Sequence, residues 1–278
     1  MLCLRQTALD LILMPDADAK AAAVRALPPG PSAYVLRPDA VLAEPAGVPG
    51  RPDRPRLLSP TAMANRSVGT ALGRAGLLHA LAHIERNAID LALDVIWRFG
   101  GMPEAFYLDW LQVAREEALH FELLHAHLKT LGYAYGDFPA HDGLWEMAEK
   151  TRSDLLARMA LVPRTLEARG LDASPAIRNK LVSVGDRRGG EIIAIILRDE
   201  IGHVAIGNRW FRHLCVQRGL DPIECYAQMA RHYAAPRLKG PFNLPARRAA
   251  GFDEAELALL QAGEASSPES HLSASPAS

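Results

Sequence analysis

Cysteine is scarce in this chain, and its scarcity argues against several classes of protein. Among 278 residues there are three, Cys3, Cys215 and Cys225. Their number is odd, and their spacing does not match that of zinc or iron–sulfur ligands. Neither a disulfide framework nor a thiolate metal site is therefore indicated. We expect reduced thiols in a cytoplasmic protein.

Long apolar runs are also missing. The nearest candidate, residues 192–197, is far shorter than the ~18 apolar residues that suggest a membrane span, and Arg198 and Asp199 end it. The first 15 residues have neither the basic segment nor the apolar core of a signal peptide. We therefore expect no membrane association.

An excess of one charge is absent too, since 31 basic and 32 acidic residues give a net charge of −1. Nucleic acid is therefore not indicated as a partner. The short basic segments at 51–56 and 237–248 could contact phosphates, but prolines interrupt both, and solvated arms are the preferred interpretation. With 49% hydrophobic residues, the chain can form a globular, soluble protein with an ample core.

What the sequence does contain is a pair of Glu-x-x-His motifs, at 117–120 and 200–203, each preceded at nearly the same distance by another glutamate. Residues three apart on a helix lie on the same side, with Cβ atoms ~5–6 Å apart. Two helix pairs that each offer one Glu and one Glu-x-x-His form the ligand set of a di-metal carboxylate centre. The candidate metal ligands are Glu85, Glu117, His120, Glu167, Glu200 and His203.

Apolar residues at helical spacing predict four long helices. Glu85 interrupts the apolar stripe of the first, four residues after Leu81 and three before Ala88. A carboxylate within an apolar helical face needs a partner, which favours a buried metal site. We name the predicted helices A to D, and they cover residues 70–99, 103–131, 142–170 and 186–217.

Helix C is the least regular of the four. Pro163 should kink it, because proline lacks the N–H that a helix needs. Glu167 follows in its last turn, and residues 171–185 are predicted to form a linker with one short helix after Pro175. The connection at 133–143 is long enough to cross from one end of a bundle to the other, as one-crossover ferritin-like folds require. A surface loop is the alternative.

The predicted fold is therefore all-α, a ferritin-like four-helix bundle with a long crossover between helices B and C and extensions at both ends. Prolines at 45–60 predict an extended arm, either a linker or a strap across the bundle. Residues 264–278 have little to bury and are expected to be disordered. The predicted divisions are 1–60, 61–220 and 221–278. Short helices are predicted at 2–14, 17–27 and 222–233 and from Glu254, with an irregular proline-rich run up to Phe252.

Charge balance suggests how many metal ions the site would hold, and the ligand types suggest which metal. Each unpaired buried carboxylate would cost on the order of several kcal/mol, and two divalent cations would balance four of them if both histidines are neutral. Oxygen and imidazole ligands suit iron, with manganese as the alternative. Glu117 and Glu200 are better placed to bridge. We expect two iron ions, one held by Glu85, Glu117 and His120 and the other by Glu167, Glu200 and His203.

Three more residues are candidates to support these ligands. Asp199 and Glu116 each precede a motif glutamate and could orient the imidazoles through hydrogen bonds, with surface charges as the alternative. His83 is assigned to the surroundings of the ligands or the edge of the core rather than to the metal. Glu191 is the fallback for Glu167.

Six segments carry a resemblance to known proteins: PGRP at 49–52, GRAGLLHALAHIERNAIDL at 73–91, EEALHF at 116–121, YGDFPAHDGLW at 135–145, LEARGLD at 166–172 and DEIGHVAIGNRW at 199–210. Together these segments resemble a bacterial ferritin-like family of unknown function, over roughly residues 45 to 220. More distantly, the chain is similar to the di-iron tRNA hydroxylases that oxidise a methylthio-isopentenyl adenosine. Those share the order Glu, Glu-x-x-His, Glu, Glu-x-x-His. The resemblance to the family implies a ferritin-like bundle but supplies no reaction. The likeness to the tRNA hydroxylases is one of fold, and a shared fold does not fix the reaction.

The resulting hypothesis is a non-haem di-iron protein that activates dioxygen, an oxidoreductase or hydroxylase. Its expected partners are a small-molecule or modified-nucleoside substrate and an electron donor. One alternative is a metal-binding or iron-handling protein without an organic substrate. The other is a ferritin-like scaffold that acts through partners and retains its ligands for stability.

Overall fold

The computed structural model describes residues 2–63 and 66–265 and is predominantly helical, which confirms the all-α prediction. Two short strands, β1 (Leu2–Cys3) and β2 (Tyr34–Val35), pair in parallel. The α-helices are α1 (Leu4–Ile12), α2 (Ala17–Arg25), α3 (Ala71–Arg98), α4 (Glu104–Thr130), α5 (Gly143–Lys150), α6 (Leu155–Leu161), α7 (Ala168–Ser183), α8 (Arg187–Arg218), α9 (Pro222–His232), α10 (Leu244–Ala249) and α11 (Glu254–Ala265).

Helices α3, α4 and α8 are the longest elements and confirm predicted helices A, B and D. The Thr70 side chain caps α3 by accepting a hydrogen bond from the Gly73 N–H at 3.0 Å. Asp186 caps α8 in the same way, and Gly219 ends it with a left-handed φ of 64°. Helix α4 packs along α3 and also against α8, so the three helices enclose a common interior.

Predicted helix C is not one kinked helix, and this part of the prediction is wrong. Helix α5 ends near Thr151, and Asp154 starts α6 by accepting hydrogen bonds from the Leu156 and Ala157 N–H groups. A π-helical segment, Val162–Glu167, then joins α6 to α7. Pro163 lies in the first turn of this segment. Its missing N–H removes one hydrogen bond of a regular α-helix at the point where the π turn begins.

The predicted linker at 171–185 is also wrong, because α7 continues through it to Ser183. Pro175 lies inside this helix and cannot donate to the carbonyl four residues earlier, that of Leu171. The Asn243 side chain, distant in sequence, donates to the Leu171 carbonyl at 3.1 Å instead. A tertiary contact thus satisfies the group that the proline leaves unpaired.

The N-terminal helices pack onto the long helices and share their apolar core. Leu4, Ile12 and Val24 are fully buried in the same cluster as the inner residues of α3 and α4. The proline-rich arm packs as well, since the Gly50 carbonyl accepts from buried Lys20 and Arg86 side chains. The arm is therefore a strap rather than a free linker. The division of the chain at residues 60 and 220 stays a prediction.

The C-terminal part follows the prediction except at one point. Helices α9 and α11 lie where helices were expected, but α10 forms within the run predicted to be irregular, capped by Asn243. The predicted disordered tail at 264–278 lies almost entirely outside the described residues. No helix in the described ranges has the length and apolarity needed to cross a membrane.

Candidate metal centre

Four of the predicted ligands converge between the three long helices. Glu85 comes from α3, Glu117 and His120 from α4, and Glu200 from α8. Each offers one ligand atom, and these atoms all lie within 4.8 Å of one another in a fully buried group. Carboxylate oxygens and an imidazole nitrogen at this separation can hold one metal ion.

His203 joins this group through Glu117. The Nδ1 atom of His203 lies 2.9 Å from Glu117 Oε1 and 3.9 Å from Glu200 Oε2. On the other side, His120 Nδ1 lies 3.3 Å from Glu117 Oε2, and the two imidazole centroids are 5.8 Å apart. Glu117 therefore lies between the two histidines, one oxygen toward each, as a bridging carboxylate would.

Glu167 is the last residue of the π segment and lies beside the other ligands without belonging to the tight group of four. As a whole residue it is half-buried, but its Oε2 atom is buried and lacks a hydrogen-bond partner. Burial, together with the nearby charge of Glu117, raises the pKa of Glu167 to about 8. The exposed alternative, Glu191, pairs instead with Arg188 at the surface.

Several inward-facing atoms of this set have no hydrogen-bond partner among the described residues. Buried polar groups in native proteins are nearly always paired, so unpaired atoms concentrated at one place need an explanation. Carboxylate oxygens without partners, beside two imidazole rings, fit bound cations, and a ligand set without thiolates fits iron or manganese better than structural zinc. The unpaired atoms are Glu85 Oε2, Glu167 Oε2 and Glu200 Oε2, whereas Glu117 Oε1 and His203 Nδ1 face each other at 2.9 Å.

The pKa values of the carboxyl groups depend on the same crowding. Burial and the Glu117 charge raise the pKa of Glu85 to about 8 and that of Glu200 well above its usual range. Glu117 behaves oppositely: burial would raise its pKa, but the His203 and His120 imidazoles lower it. Without metal, Glu85, Glu167 and Glu200 therefore hold protons near neutral pH, while Glu117 is ionised.

The two histidines carry the compensating positive charge. Burial alone would lower the pKa of each imidazole. For His120, hydrogen bonds with Asp199, Glu117 and Glu85 outweigh burial, and for His203 the Glu117 charge and the hydrogen bond with Glu116 do so. The pKa of each histidine is therefore raised well above its usual value. Protons thus supply, in the metal-free site, positive charge that cations would otherwise bring.

Each imidazole is oriented by a carboxylate from the other helix. His120 Nε2 on α4 lies 3.1 Å from Asp199 Oδ2 on α8, and His203 Nε2 on α8 lies 2.8 Å from Glu116 Oε2 on α4. With Nε2 engaged in this way, Nδ1 of both rings faces the carboxylates. Arg198 in turn donates to both oxygens of Asp199. We name this arrangement the crossed pairs.

His83 does not join this network, and its predicted place around the ligands needs correction. Its Nδ1 contacts the Tyr135 hydroxyl at 2.9 Å, and its Nε2 contacts the His141 carbonyl at 3.2 Å. These two partners belong to the connection after α4, and a third, the Asn87 side chain of α3, lies 3.0 Å from Nε2. Residues two apart on a helix do not face each other, so His83 and Glu85 lie on different sides of α3.

A buried charge that sequence patterns did not predict lies beside the centre. Arg158 on α6 is 1% exposed, donates to Asp94 Oδ2 at 2.5 Å, and lowers the pKa of Glu167 against the effect of burial. The available signal was a series of charges four residues apart on α3, a spacing that resembles a solvated helical face. The series is Arg86, Asp90, Asp94 and Arg98.

The fold and the site define a helical protein with a buried Glu/His group that could bind a metal ion. The chain belongs to the family described as Protein of unknown function (DUF455), whose model matches residues 13–258. It is also similar to an "Uncharacterized protein" of Haemophilus influenzae, 52% identical over 213 residues, which are 74% of each chain. No solved structure matches. The predicted membership of a family of unknown function is thus confirmed.

Proposed function

We propose that this protein is a ferritin-like, non-haem di-iron carboxylate protein of the cytoplasm that activates dioxygen as an oxidoreductase or hydroxylase. Di-manganese is the alternative metal pair. The observation that carries the proposal is the buried group of carboxylate and imidazole side chains that face one another between α3, α4 and α8, with carboxylate oxygens that lack hydrogen-bond partners. Such a set is stable when cations balance its charge.

The ferritin-like part of the proposal rests on how the ligands are distributed. Helix α3 supplies one Glu and α4 a Glu-x-x-His. In the same way, the π segment supplies one Glu and α8 a Glu-x-x-His. In ferritin-like di-metal proteins each of two helices gives a Glu and each of the other two gives a Glu-x-x-His. The connection at 131–142, which lies between α4 and α5, supports the one-crossover topology.

The proposed ligands divide into two half-sites, and Glu117 lies between the histidines of the two. When bound in such a site, iron supplies electron transfer and dioxygen activation. The protein's own contribution is to hold the ligands, since the crossed pairs keep Nδ1 of both histidines directed inward. Burial excludes bulk water and strengthens the electrostatic interactions among the ligands. The half-sites are Glu85, Glu117 and His120, and Glu167, Glu200 and His203.

An organic substrate and an electron donor belong to the enzyme hypothesis. A small molecule or a modified nucleoside is the proposed substrate class, the latter from the likeness to di-iron tRNA hydroxylases. The alternative is an iron-handling protein without an organic substrate, and the same ligand set supports it. A scaffold would use the metal for stability alone.

Iron content after anaerobic reconstitution tests the proposal. We expect about two tightly bound ferrous ions per chain, because four carboxylates balance two divalent cations. The variant with Glu117→Ala and Glu200→Ala should bind none tightly. Glu191→Ala is the matched control, since Glu191 lies exposed on the same helix as Glu200. Fewer than one ion per wild-type chain, unchanged in the double variant, would refute the metal centre.

Oxygen addition to the loaded protein separates the enzyme from the iron-handling alternative. For an oxygenase or oxidase, we expect oxygen consumption without accumulation of a ferric mineral core. Iron added in excess should then remain in solution or exchange freely. Growth of a mineral core, measured by light scattering and iron retention, would instead favour iron handling.

A further inference from the structure

A buried arginine, Arg164, joins the π segment that carries Glu167 to the C-terminal region. Arg164 belongs to the π segment, three residues before Glu167, and is 4% exposed. A guanidinium has five donors and cannot lose its charge in a protein, so its burial requires specific partners. Arg164 is therefore a buried cation close in sequence to a proposed metal ligand.

Aromatic rings from α8 and from two elements of the C-terminal region surround this guanidinium. Its carbon lies 4.7 Å from the Phe211 ring centroid, 5.2 Å from that of Tyr226 and 5.0 Å from that of Phe252. These distances fall within the ~6 Å range of cation–π interactions, which gain strength when the cation is removed from water. The rings belong to α8, α9 and the segment between α10 and α11.

Polar contacts complete the enclosure. Arg164 Nη2 donates to Glu256 Oε1 of α11, and Nη1 donates to Asn208 Oδ1 of α8 at 3.0 Å. Glu256 is 8% exposed and also accepts from Arg212 at 2.7 Å. Asn208 donates to the Ala250 carbonyl at 2.8 Å, which fixes the end of α10. We name Arg164 with its aromatic and polar partners the C-terminal clamp.

The π segment held by this clamp also touches α8 closely. A Cβ atom placed on Gly207 would lie 2.6 Å from Pro163 Cβ, so the glycine is what permits this approach. Gly207 is one turn beyond His203 on the same helix. The position of Glu167 relative to the α8 ligands therefore depends on contacts at Pro163 and Arg164, the latter supplied from the C-terminal region.

We propose that residues 244–257 position the second half-site. The positioning residues are Glu256 in this segment and its partner Arg164 in the π segment. Docking of α11 holds the π segment in the place where Glu167 can serve as a ligand. Undocking releases Arg164 and with it Glu167, while Glu85, Glu117, His120 and Glu200 keep their places. Occupancy of the second metal position is thus controlled from the C-terminal region. This inference rests on the proposed di-metal function.

Glu256→Gln, with Glu254→Gln as matched control, tests the clamp. Glu254 lies on the same helix but pairs with Arg248 at the surface. Anaerobic calorimetric titration with Mn²⁺ should show two ions for the wild type and for the control. In Glu256→Gln we expect the first ion to bind as in the wild type and the second at least about 10-fold more weakly, as when outer partners of ligands are removed.

A purely structural role for Glu256 would lower the melting temperature of the metal-free protein and leave both affinities equal to those of the wild type. That result would overturn the inference. A wild type that binds fewer than two ions would instead refute the proposed function, so the two failures are distinguishable. Weakening of the first ion in parallel with the second would also contradict a role limited to Glu167.

Hydrogen exchange in the wild type keeps the inference testable if the variant does not fold. Coupling between two sites is reciprocal, so a C-terminal segment that favours metal binding must itself be stabilised by the metal. We expect Mn²⁺ loading to slow amide exchange in residues 244–257 as well as in 162–167. Exchange in 244–257 that is unaffected by Mn²⁺, in protein that binds two ions, would overturn the proposal.

Discussion

At the scale of single residues, Glu117 organises the centre. It is the one carboxylate with an oxygen directed at each histidine, and its pKa is lowered while those of its carboxyl neighbours are raised. Because these neighbours cannot all ionise together in a buried site, the metal-free protein must hold protons there. The proton content of the centre should therefore be measurable.

Stability of the metal-free protein should fall as pH rises from about 6 to about 8. Glu85 and Glu167 have folded pKa values of about 8, well above their usual 4.5, so the folded chain binds more protons than the unfolded chain in this window. The raised pKa values of both histidines act in the same direction. Thermal unfolding at three pH values in this range measures the slope.

The matching control is Glu85→Gln, which cannot ionise and should reduce that slope. Mn²⁺ should oppose the loss, since metal binding replaces the protons and strengthens as pH rises. A melting temperature that increases from pH 6 to pH 8 in the metal-free wild type would contradict the protonation pattern.

Loss of either crossed pair should weaken metal binding without removing it. For Asp199→Asn and Glu116→Gln we expect ~10–100-fold lower affinity, because each carboxylate orients one imidazole and raises its basicity. Glu122→Gln provides the control, since Glu122 is on α4 but is directed at Arg25. Affinities equal to those of the wild type in both variants would show that the carboxylates are surface charges.

Much of this residue pattern could be predicted, because helical repeat converts sequence spacing directly into direction. Glu-x-x-His spacing identified residues that the structure brings together, and the acids preceding the motifs lie against the imidazoles. The crossing of these contacts between helices could not be predicted, since it depends on how α4 and α8 face each other. Arg158 was missed because no local rule separates a buried charge series from a solvated one.

At the scale of elements, the third helical region shows where local rules fail. Proline and glycine predicted a stop near residue 170, yet α7 continues because Asn243 replaces the donor that Pro175 lacks. The long helices were predictable from uninterrupted apolar periodicity and their caps. Where a distant side chain completes a helix, the segment's own sequence carries no trace of it.

Asn243→Ala tests this long-range contact. The substitution removes the partner of the Leu171 carbonyl and the cap of α10, and it should lower the free energy of unfolding by roughly 1–3 kcal/mol. Asn179→Ala, at an exposed position of α7, should change it by less than about 0.5 kcal/mol. Urea unfolding monitored by circular dichroism compares the two. Equal stabilities would mean that the contact adds nothing.

At the scale of the whole molecule, the N-terminal residues are tied to the bundle by a buried charge cluster. Lys20 is fully buried, and burial, against the attraction of Asp90, lowers its pKa to about 8. Its ammonium lies 2.5 Å from Asp90 and also donates to the Ile12 and Gly50 carbonyls. One side chain thus connects α1, α2, the proline-rich strap and α3. Sequence patterns within any one of these segments could not predict that connection.

Removal of this ammonium should weaken the whole fold. Lys20→Ala leaves the Asp90 carboxylate with one buried partner fewer, and the expected loss is about 3–5 kcal/mol of unfolding free energy. Lys129→Ala, at a half-exposed lysine near Asp18, should have little effect. Chemical denaturation of both variants provides the comparison. A wild-type midpoint for Lys20→Ala would show that the N-terminal helices are not coupled to the bundle.

The crossed pairs also constrain how this sequence can diverge among relatives. Glu116 contacts His203, and Asp199 contacts His120. The two motifs should therefore evolve together, although they lie on different helices and far apart in the chain. A shorter acid at position 116 changes the setting of the histidine on the other helix, not of the one beside it. Compensating substitutions should therefore appear near His203. Within the family, position 116 should covary with the surroundings of His203, and position 199 with those of His120, more than either does with its own motif.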